Sequence, residues 1–271
     1  MPMPQLIIDG QALHYTDQGS GEVILLAHGY LWDQRMWVPQ LQALKEHYRV
    51  IAPDLWGHGQ SGQCPTNVRE LADLGRQALT LLDHLGIERC NLIGLSMGGM
   101  WGARLAVDAP ERIDRLVLMD TYLGPEDEPS RQYYFSLLQQ LEDEGTMTQA
   151  LLDIVVPIYF HPEADLHSPL CRAFRATLAA LPAATVRRSI VPLGRMIFGR
   201  QDLRDRLGRL NPDKTLVMCG DHDIPRPPHE TLEMARIIGC SHVLVPDAGH
   251  MANLENPGCV TDTLLSFLAS R

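Results

Sequence analysis

The sequence predicts an α/β sheet protein interrupted by a helical insertion, and three observations lead there. Short apolar runs of β type alternate with amphipathic helical stretches, the pattern of a sheet covered by helices. Between residues 125 and 206 the strand pattern vanishes and only helical spacing remains. The chain has 271 residues, 45% of them hydrophobic and 21% charged, which is ordinary globular composition for one large domain or a core with one insertion. A chain of this size buries roughly three quarters of its unfolded surface, so its core needs neither disulfides nor a structural metal.

Residues 23–27 form the first apolar run, leading directly into His28-Gly29. The next, 48–52, is ended by Pro53-Asp54. From 68 to 85 the apolar positions 68, 71, 74, 78, 81, 82 and 85 recur at helical spacing, and Gly86 suits the C-cap. A strand over 90–94 opens a helix over about 97–109, which Pro110 stops, and a strand over 115–119 follows. Near the end, strands over 215–219 and 241–245 are each followed by a helix, at about 229–238 and 257–269.

The stretch 125–206 reads as four or five helices broken by Gly145, Pro157, Pro162, Pro169, Pro182, Pro192 and Gly199. It is too long for a structureless loop in a compact domain. The expected organisation is therefore a core of 1–124 and 207–271 with a helical cap, or lid, of 125–206 set into it.

Charge excludes one class of partner. The formal net charge is −10, and the 23 basic residues are 21 arginines with only Lys45 and Lys214. No basic face for nucleic acid is expected from that balance. The six cysteines form no CxxC pair, so neither a zinc knuckle nor a dense disulfide framework is indicated. Met1-Pro2-Met3-Pro4-Gln5 lacks a basic region followed by an apolar stretch, and no apolar run approaches 18 residues. The expectation is a reduced, cytoplasmic protein without a membrane partner.

The chemistry centres on Gly94-Leu95-Ser96-Met97-Gly98-Gly99, lying between a strand and a helix. A serine on such a tight turn has its hydroxyl lifted above the sheet, and small neighbours avoid clashes. The helix N-terminus behind it favours developing negative charge. A serine hydroxyl needs a base, and the base an orienting acid. Two later strands exit into Gly220-Asp221-His222-Asp223 and Gly249-His250, at the sheet edge where open α/β sheets place their sites. Ser96, Asp223 and His250 are the expected catalytic residues, with Asp120 and Asp221 as rival acids. Backbone N–H groups of Tyr30 and Met97 are the expected oxyanion donors, because Gly29 lets the early loop turn in close. Leu31, Trp32, Tyr122 and Met251, beside these loops, are the expected substrate contacts.

Two other motifs read as structure. The loop 54–62, Asp-Leu-Trp-Gly-His-Gly-Gln-Ser-Gly, has no P-loop lysine and no dinucleotide-type glycine spacing, so a structural turn is expected. Asp221, His222, Asp223 and His229 lack the framework of a metal site, and no metal is expected there.

Taken together, His28-Gly29, the 54–61 loop, Gly94 to Gly99, Gly220 to Asp223 and Gly249-His250 resemble the α/β-hydrolase superfamily over about 20–124 and 207–271. The resemblance implies an eight-stranded, mostly parallel sheet with helices on both faces, an antiparallel second strand, and a cap over the site. Met-Gly-Gly-Met after the strand-end turn and the strand ending Met119-Asp120-Thr121 are similar to bacterial serine esterases, 3-oxoadipate enol-lactonases and meta-cleavage C–C hydrolases. The C–C hydrolases usually carry a Gly-Pro-Gly-type stretch after the His-Gly motif, where this chain has Tyr30-Leu31-Trp32-Asp33. Haloalkane dehalogenases and epoxide hydrolases use an aspartate where this chain has Ser96. The implied activity is hydrolysis of a small or medium carboxylic ester or lactone through an acyl-enzyme, with no metal or organic cofactor. The same residues suit a meta-cleavage-type C–C hydrolase or a ligand-binding member of the fold. The cap holds nine arginines, and one facing inward would bind a substrate carboxylate.

Overall fold

The structure, a computed structural model, describes residues 3–270. Two strands, β1 (Gln5–Ile8) and β2 (Gln11–Gln18), open the chain as a hairpin. Its two-residue turn is Asp9-Gly10, both at positive φ, which matches the right-handed twist of the strands. β3 (Val23–Ala27), β4 (Arg49–Pro53), β5 (Cys90–Leu95), β6 (Ile113–Met119), β7 (Thr215–Gly220) and β8 (Ser241–Val245) complete an eight-stranded sheet. The order is β1-β2-β4-β3-β5-β6-β7-β8. β2 runs antiparallel to both neighbours and every pair from β4 to β8 is parallel, as the resemblance implies.

β5 and β7 are buried at every residue, which explains their unbroken apolar runs. Helices supply the crossovers. α1 (Val38–Leu44) packs with α12 (Pro257–Ala269), and α2 (Leu71–His84) packs with α3 (Met97–Asp108). α10 (Pro228–Ile238) covers β7 and β8, and the short α11 (Ala252–Glu255) precedes α12. Fully buried Trp37, Trp56 and Trp101 are among the largest side chains of the core.

Between β6 and β7 the regular elements are all helical. α4 (Glu128–Glu144), α5 (Gln149–Ile158) and α6 (Pro169–Ala179) are followed by α7 (Ala183–Thr185), a π turn over Val186–Ile190, α8 (Val191–Phe198) and α9 (Arg204–Leu207). Gly145, at φ 69, ends α4, Pro162 lies between α5 and α6, Pro182 precedes α7 and Gly199 caps α8, as expected of those breaks, while Pro157 and Pro192 do not interrupt the helical path. Pro169 lies in the first turn of α6, where a missing N–H costs nothing, whereas Pro192 follows directly on the π turn within one continuous helical path. Pro157 sits within the last turn of α5 and does not end it. No helix among the described residues is long and apolar enough to cross a membrane.

Register aligns the carboxyl ends of the central strands. Ala27 of β3 lies opposite Gly94 of β5, Leu95 opposite Met119 of β6, and Met119 opposite Met218 of β7. The loops leaving those strands therefore meet at one edge, and all the chemistry lies there.

Candidate active site

Ser96 follows β5 at φ 53 and ψ −116, a conformation most side chains avoid. Glycines make the turn possible. A Cβ at Gly94 would strike the backbone of Gly98, and one at Gly98 would strike the carbonyl of Ala27. The Ser96 Oγ lies 3.0 Å from His250 Nε2, and His250 Nδ1 donates to Asp223 Oδ2 at 2.9 Å. Histidine and aspartate are buried, at 3% exposure each. Three segments far apart in sequence thus form one hydrogen-bonded chain, with the acid acting only as an acceptor.

The rival acids make other contacts. Asp120 is fully buried at the end of β6 and accepts the N–H of Gly220 at 2.7 Å. Burial, and next the charge of Asp223, hold its carboxyl well above the ordinary aspartate range. Asp221 pairs with the neighbouring His222 at 2.8 Å. Neither has a hydrogen bond to His250.

The early loop is held in place by two histidines. His28 Nε2 accepts the N–H of Leu55 at 2.8 Å, while its Nδ1 faces the carbonyl of Gly29 at 2.7 Å. His58 Nε2 accepts the N–H of Leu31 at 3.0 Å and its Nδ1 donates to the carbonyl of Trp56 at 2.9 Å. Each ring bridges the 28–31 loop to the 54–62 loop, and each can do so only as a neutral imidazole. Desolvation, with His28 nearby, pushes His58 down to about 3. Asp54 closes its own loop, accepting the N–H groups of Gln34 at 2.9 Å and Gln60 at 3.0 Å, so the structural reading of that motif suits the contacts seen. Among the described residues, the amides of Tyr30 and Met97 have no acceptor within the chain. Tyr30 lies on the loop leaving β3, and Met97 opens α3 directly after Ser96.

A mostly apolar cavity opens over Ser96 and His250. α4 lines it with Leu137, Leu138 and Leu141, and α5 with Leu151, Val155 and Ile158. Of the four expected substrate contacts only Leu31 lines it. A turn closed by the Trp32 N–H to the carbonyl of Gly29 carries Trp32 away, and its ring stacks on Phe174 of α6 at 4.4 Å. Tyr122 donates its hydroxyl to Glu233 at 2.6 Å, and Met251 is fully buried in the core. For these three the sequence position beside the site was a poor guide, because neighbouring residues on a loop point in different directions.

Two features escaped the sequence reading. Tyr159, at the end of α5, donates its hydroxyl to the carbonyl of Tyr30 at 3.0 Å and packs edge-on against the His250 ring at 5.4 Å. It was only one residue in an apolar run. Arg226, on the loop after β7, lines the cavity beside Glu126 and Tyr134. Its spacing three residues after the acid was visible, but nothing local shows which way a guanidinium points.

The family model of the alpha/beta hydrolase fold matches residues 22–152. A hydrolase from Pseudomonas aeruginosa PA01 is 31% identical, the match covering 99% of this chain and 98% of that one with a TM-score of 0.84. The enol-lactonase from Burkholderia xenovorans LB400 is 28% identical, covering 98% of this chain and 100% of that one, also with a TM-score of 0.84. Haloalkane dehalogenase 2 of Mycobacterium tuberculosis is 25% identical over 93% of this chain and 90% of its own. Fold and site together define a hydrolase of the α/β class. The chain belongs to the α/β-hydrolase family.

Proposed function

We propose that the protein is a serine hydrolase that cleaves a small or medium carboxylic ester or lactone through an acyl-enzyme. The observation that carries this reading is the chain from Ser96 through His250 to Asp223 at the floor of an apolar cavity. Ser96 Oγ attacks the carbonyl carbon while His250 Nε2 takes its proton. Asp223 holds the Nδ1 proton, which keeps Nε2 free to act as the base and steadies the imidazolium that forms. The N–H groups of Tyr30 and Met97 meet the oxyanion, a contribution of about 2.7–4 kcal/mol per donor in the best-studied case. His250 then gives its proton to the leaving alcohol or enol. Water, deprotonated by the same nitrogen, releases the acid and restores Ser96.

An enol-lactonase of nearly equal length among the structural relatives supports the ester and lactone class. The dehalogenase likeness supports the fold, since a serine stands at the elbow here. In this reading residues 1–124 and 207–271 supply the chemistry, and 125–206 form a cap whose helices α4 and α5 choose the acyl group. A cytoplasmic setting belongs to the same proposal and is supported by Cys64, Cys90, Cys171, Cys219, Cys240 and Cys259 being free thiols.

Labelling with a fluorophosphonate tests the nucleophile. Stoichiometric modification of Ser96, abolished in Ser96→Ala, is the expected result. An intact mass after prolonged exposure, in protein confirmed to be folded, would sink the acyl-enzyme reading.

A further inference from the structure

One residue of the helical insertion contacts both catalytic loops, and the proposed reaction gives it no step. Tyr159, just after α5, is buried. Its main-chain carbonyl accepts the N–H of Met251 at 3.1 Å, one residue beyond the proposed base. Its hydroxyl donates to the carbonyl of Tyr30 at 3.0 Å, on the residue whose N–H is the expected oxyanion donor. Neighbours of Tyr159 reinforce the first contact. Glu255 accepts the N–H of His161 at 2.7 Å and that of Gly249 at 2.9 Å, and a Cβ at Gly249 would strike the backbone of Phe160. Residues 159–161 are thus packed directly on the histidine loop.

The second contact falls where the backbone is strained. Leu31 stands at φ 66, the left-handed region that a leucine avoids, and such a conformation persists only where its surroundings over-determine it. Here the peptide group between Tyr30 and Leu31 is gripped from both sides. Its carbonyl accepts from Tyr159, and its N–H donates to His58 Nε2 at 3.0 Å. Among the described residues no other donor reaches that buried carbonyl, and a buried carbonyl needs a partner. Without the Tyr159 hydroxyl the peptide loses one of its two braces, and Leu31 can relax out of positive φ. That relaxation turns the adjoining Tyr30 N–H away from the reacting carbonyl. Burial raises the Tyr159 phenol well above the ordinary tyrosine range, so the donated proton stays in place.

Building on the serine-hydrolase reading, we propose that Tyr159 is a positioning residue, whose hydroxyl holds the Tyr30 N–H in line for the oxyanion while its backbone anchors the His250 loop. The insertion then does more than choose the acyl group, because the oxyanion site is complete only with Tyr159 docked on it. The hydroxyl acts through Tyr30 and makes no bond to the substrate. An oxyanion donor is worth about 10²–10³ in kcat. His58 remains as the other brace, so loss of the Tyr159 hydroxyl is expected to cost less than loss of the donor itself, about ten- to a hundredfold.

Tyr159→Phe removes the hydroxyl and keeps the ring that packs against His250. With p-nitrophenyl butyrate, kcat should fall about ten- to a hundredfold while KM stays within about threefold of the wild-type value. A transition-state mimic separates positioning from general damage. Hexyl trifluoromethyl ketone takes Ser96 Oγ onto its carbonyl carbon and places an oxyanion where the donors point, whereas the corresponding secondary alcohol forms no oxyanion. In Tyr159→Phe the ketone should bind more weakly by the same factor as the fall in kcat/KM, and the alcohol by less than about threefold. Equal weakening of both would make Tyr159 a packing residue, and unchanged kcat and ketone affinity would leave it without a role; either overturns the proposal. If Tyr159→Phe does not fold, Tyr159→Met fills the space without a donor and carries the same expectations. Failure of both variants to fold marks the residue as structural and also overturns it. A wild-type protein that neither turns over esters nor takes the fluorophosphonate sinks the serine-hydrolase reading, and this role with it. An active wild type beside an unmoved Tyr159→Phe sinks this role alone.

Discussion

At the residue scale, three aspartates stand near the ends of two adjacent strands, and their surroundings give them different work. Asp223 meets His250 at 2.9 Å and Asp120 meets a backbone N–H at 2.7 Å. Asparagine keeps the shape of either side chain while removing its charge. At Asp223 it stabilises the wrong imidazole tautomer, a change that costs about 10⁴ in kcat in a serine protease. Asp223→Asn is therefore expected to lose several orders of magnitude in kcat. Asp120→Asn resembles the neutral carboxyl that burial already favours there, so a loss below about tenfold is expected, with stability equal or higher. Steady-state kinetics on both variants, with circular dichroism to confirm folding, would reverse the assignment if the ranking came out the other way. Ser96→Ala should fold normally, since alanine fits the same turn, and should retain at most a few per cent of activity. In sequence the elbow serine and His250 were legible because each follows an apolar run and sits beside glycine. The acid remained a choice among three, since spacing along the chain does not say which carboxylate reaches an imidazole.

At the element scale, the loops 28–31 and 54–62 are joined by two imidazoles that work only when neutral. The consequence is an acid-sensitive fold. Folding holds His58 near 3, whereas the unfolded chain protonates it near its ordinary value of 6.5. Its stabilising contribution is therefore complete above about pH 6.5 and is lost as pH falls from there toward 3. At about 1.4 kcal/mol per unit, the loss between pH 6.5 and 5 is about 2 kcal/mol. Burial lowers His28 as well, which adds to the effect in the same direction. Urea denaturation at pH 7.5 and 5.0 should show this loss, and His58→Gln should be less stable at pH 7.5 yet show a shallower pH slope. A variant with the full wild-type slope would locate the acid sensitivity elsewhere. Elements with strong periodicity or uniform apolarity were legible almost to the residue, as β3, β8 and α12 show. The hairpin β1–β2 was missed although Asp9-Gly10 marks its turn, because its strands are short or half exposed and lack an apolar run.

At the scale of the whole molecule, an insertion of helices lies against the loops of the sheet, and contacts across that boundary set the shape of the cavity. Tyr30 donates to the carbonyl of Ile190 in the π turn at 2.7 Å, and Tyr159 returns a hydrogen bond to the Tyr30 carbonyl. Val155 of α5 lines the cavity while every proposed catalytic group lies outside 125–206. Val155→Trp is thus expected to shift preference toward shorter acyl chains by tenfold or more in relative kcat/KM. The change at the best substrate should be smaller than the change in ranking. A p-nitrophenyl ester series from acetate to octanoate measures it, and an unaltered ranking would reduce the insertion to packing. The sequence by itself determined the class of fold and the local signatures of the elbow serine and of Gly249-His250, because each of these depends on residues within a few positions of one another. Tertiary structure alone decided that Asp223 is the partner of His250 and that Trp32, Tyr122 and Met251 face away from the cavity. It also brought Tyr159 and Arg226 to the cavity. The reason is physical: a side chain's direction and partner depend on elements separated by a hundred residues or more, and local periodicity carries no record of them.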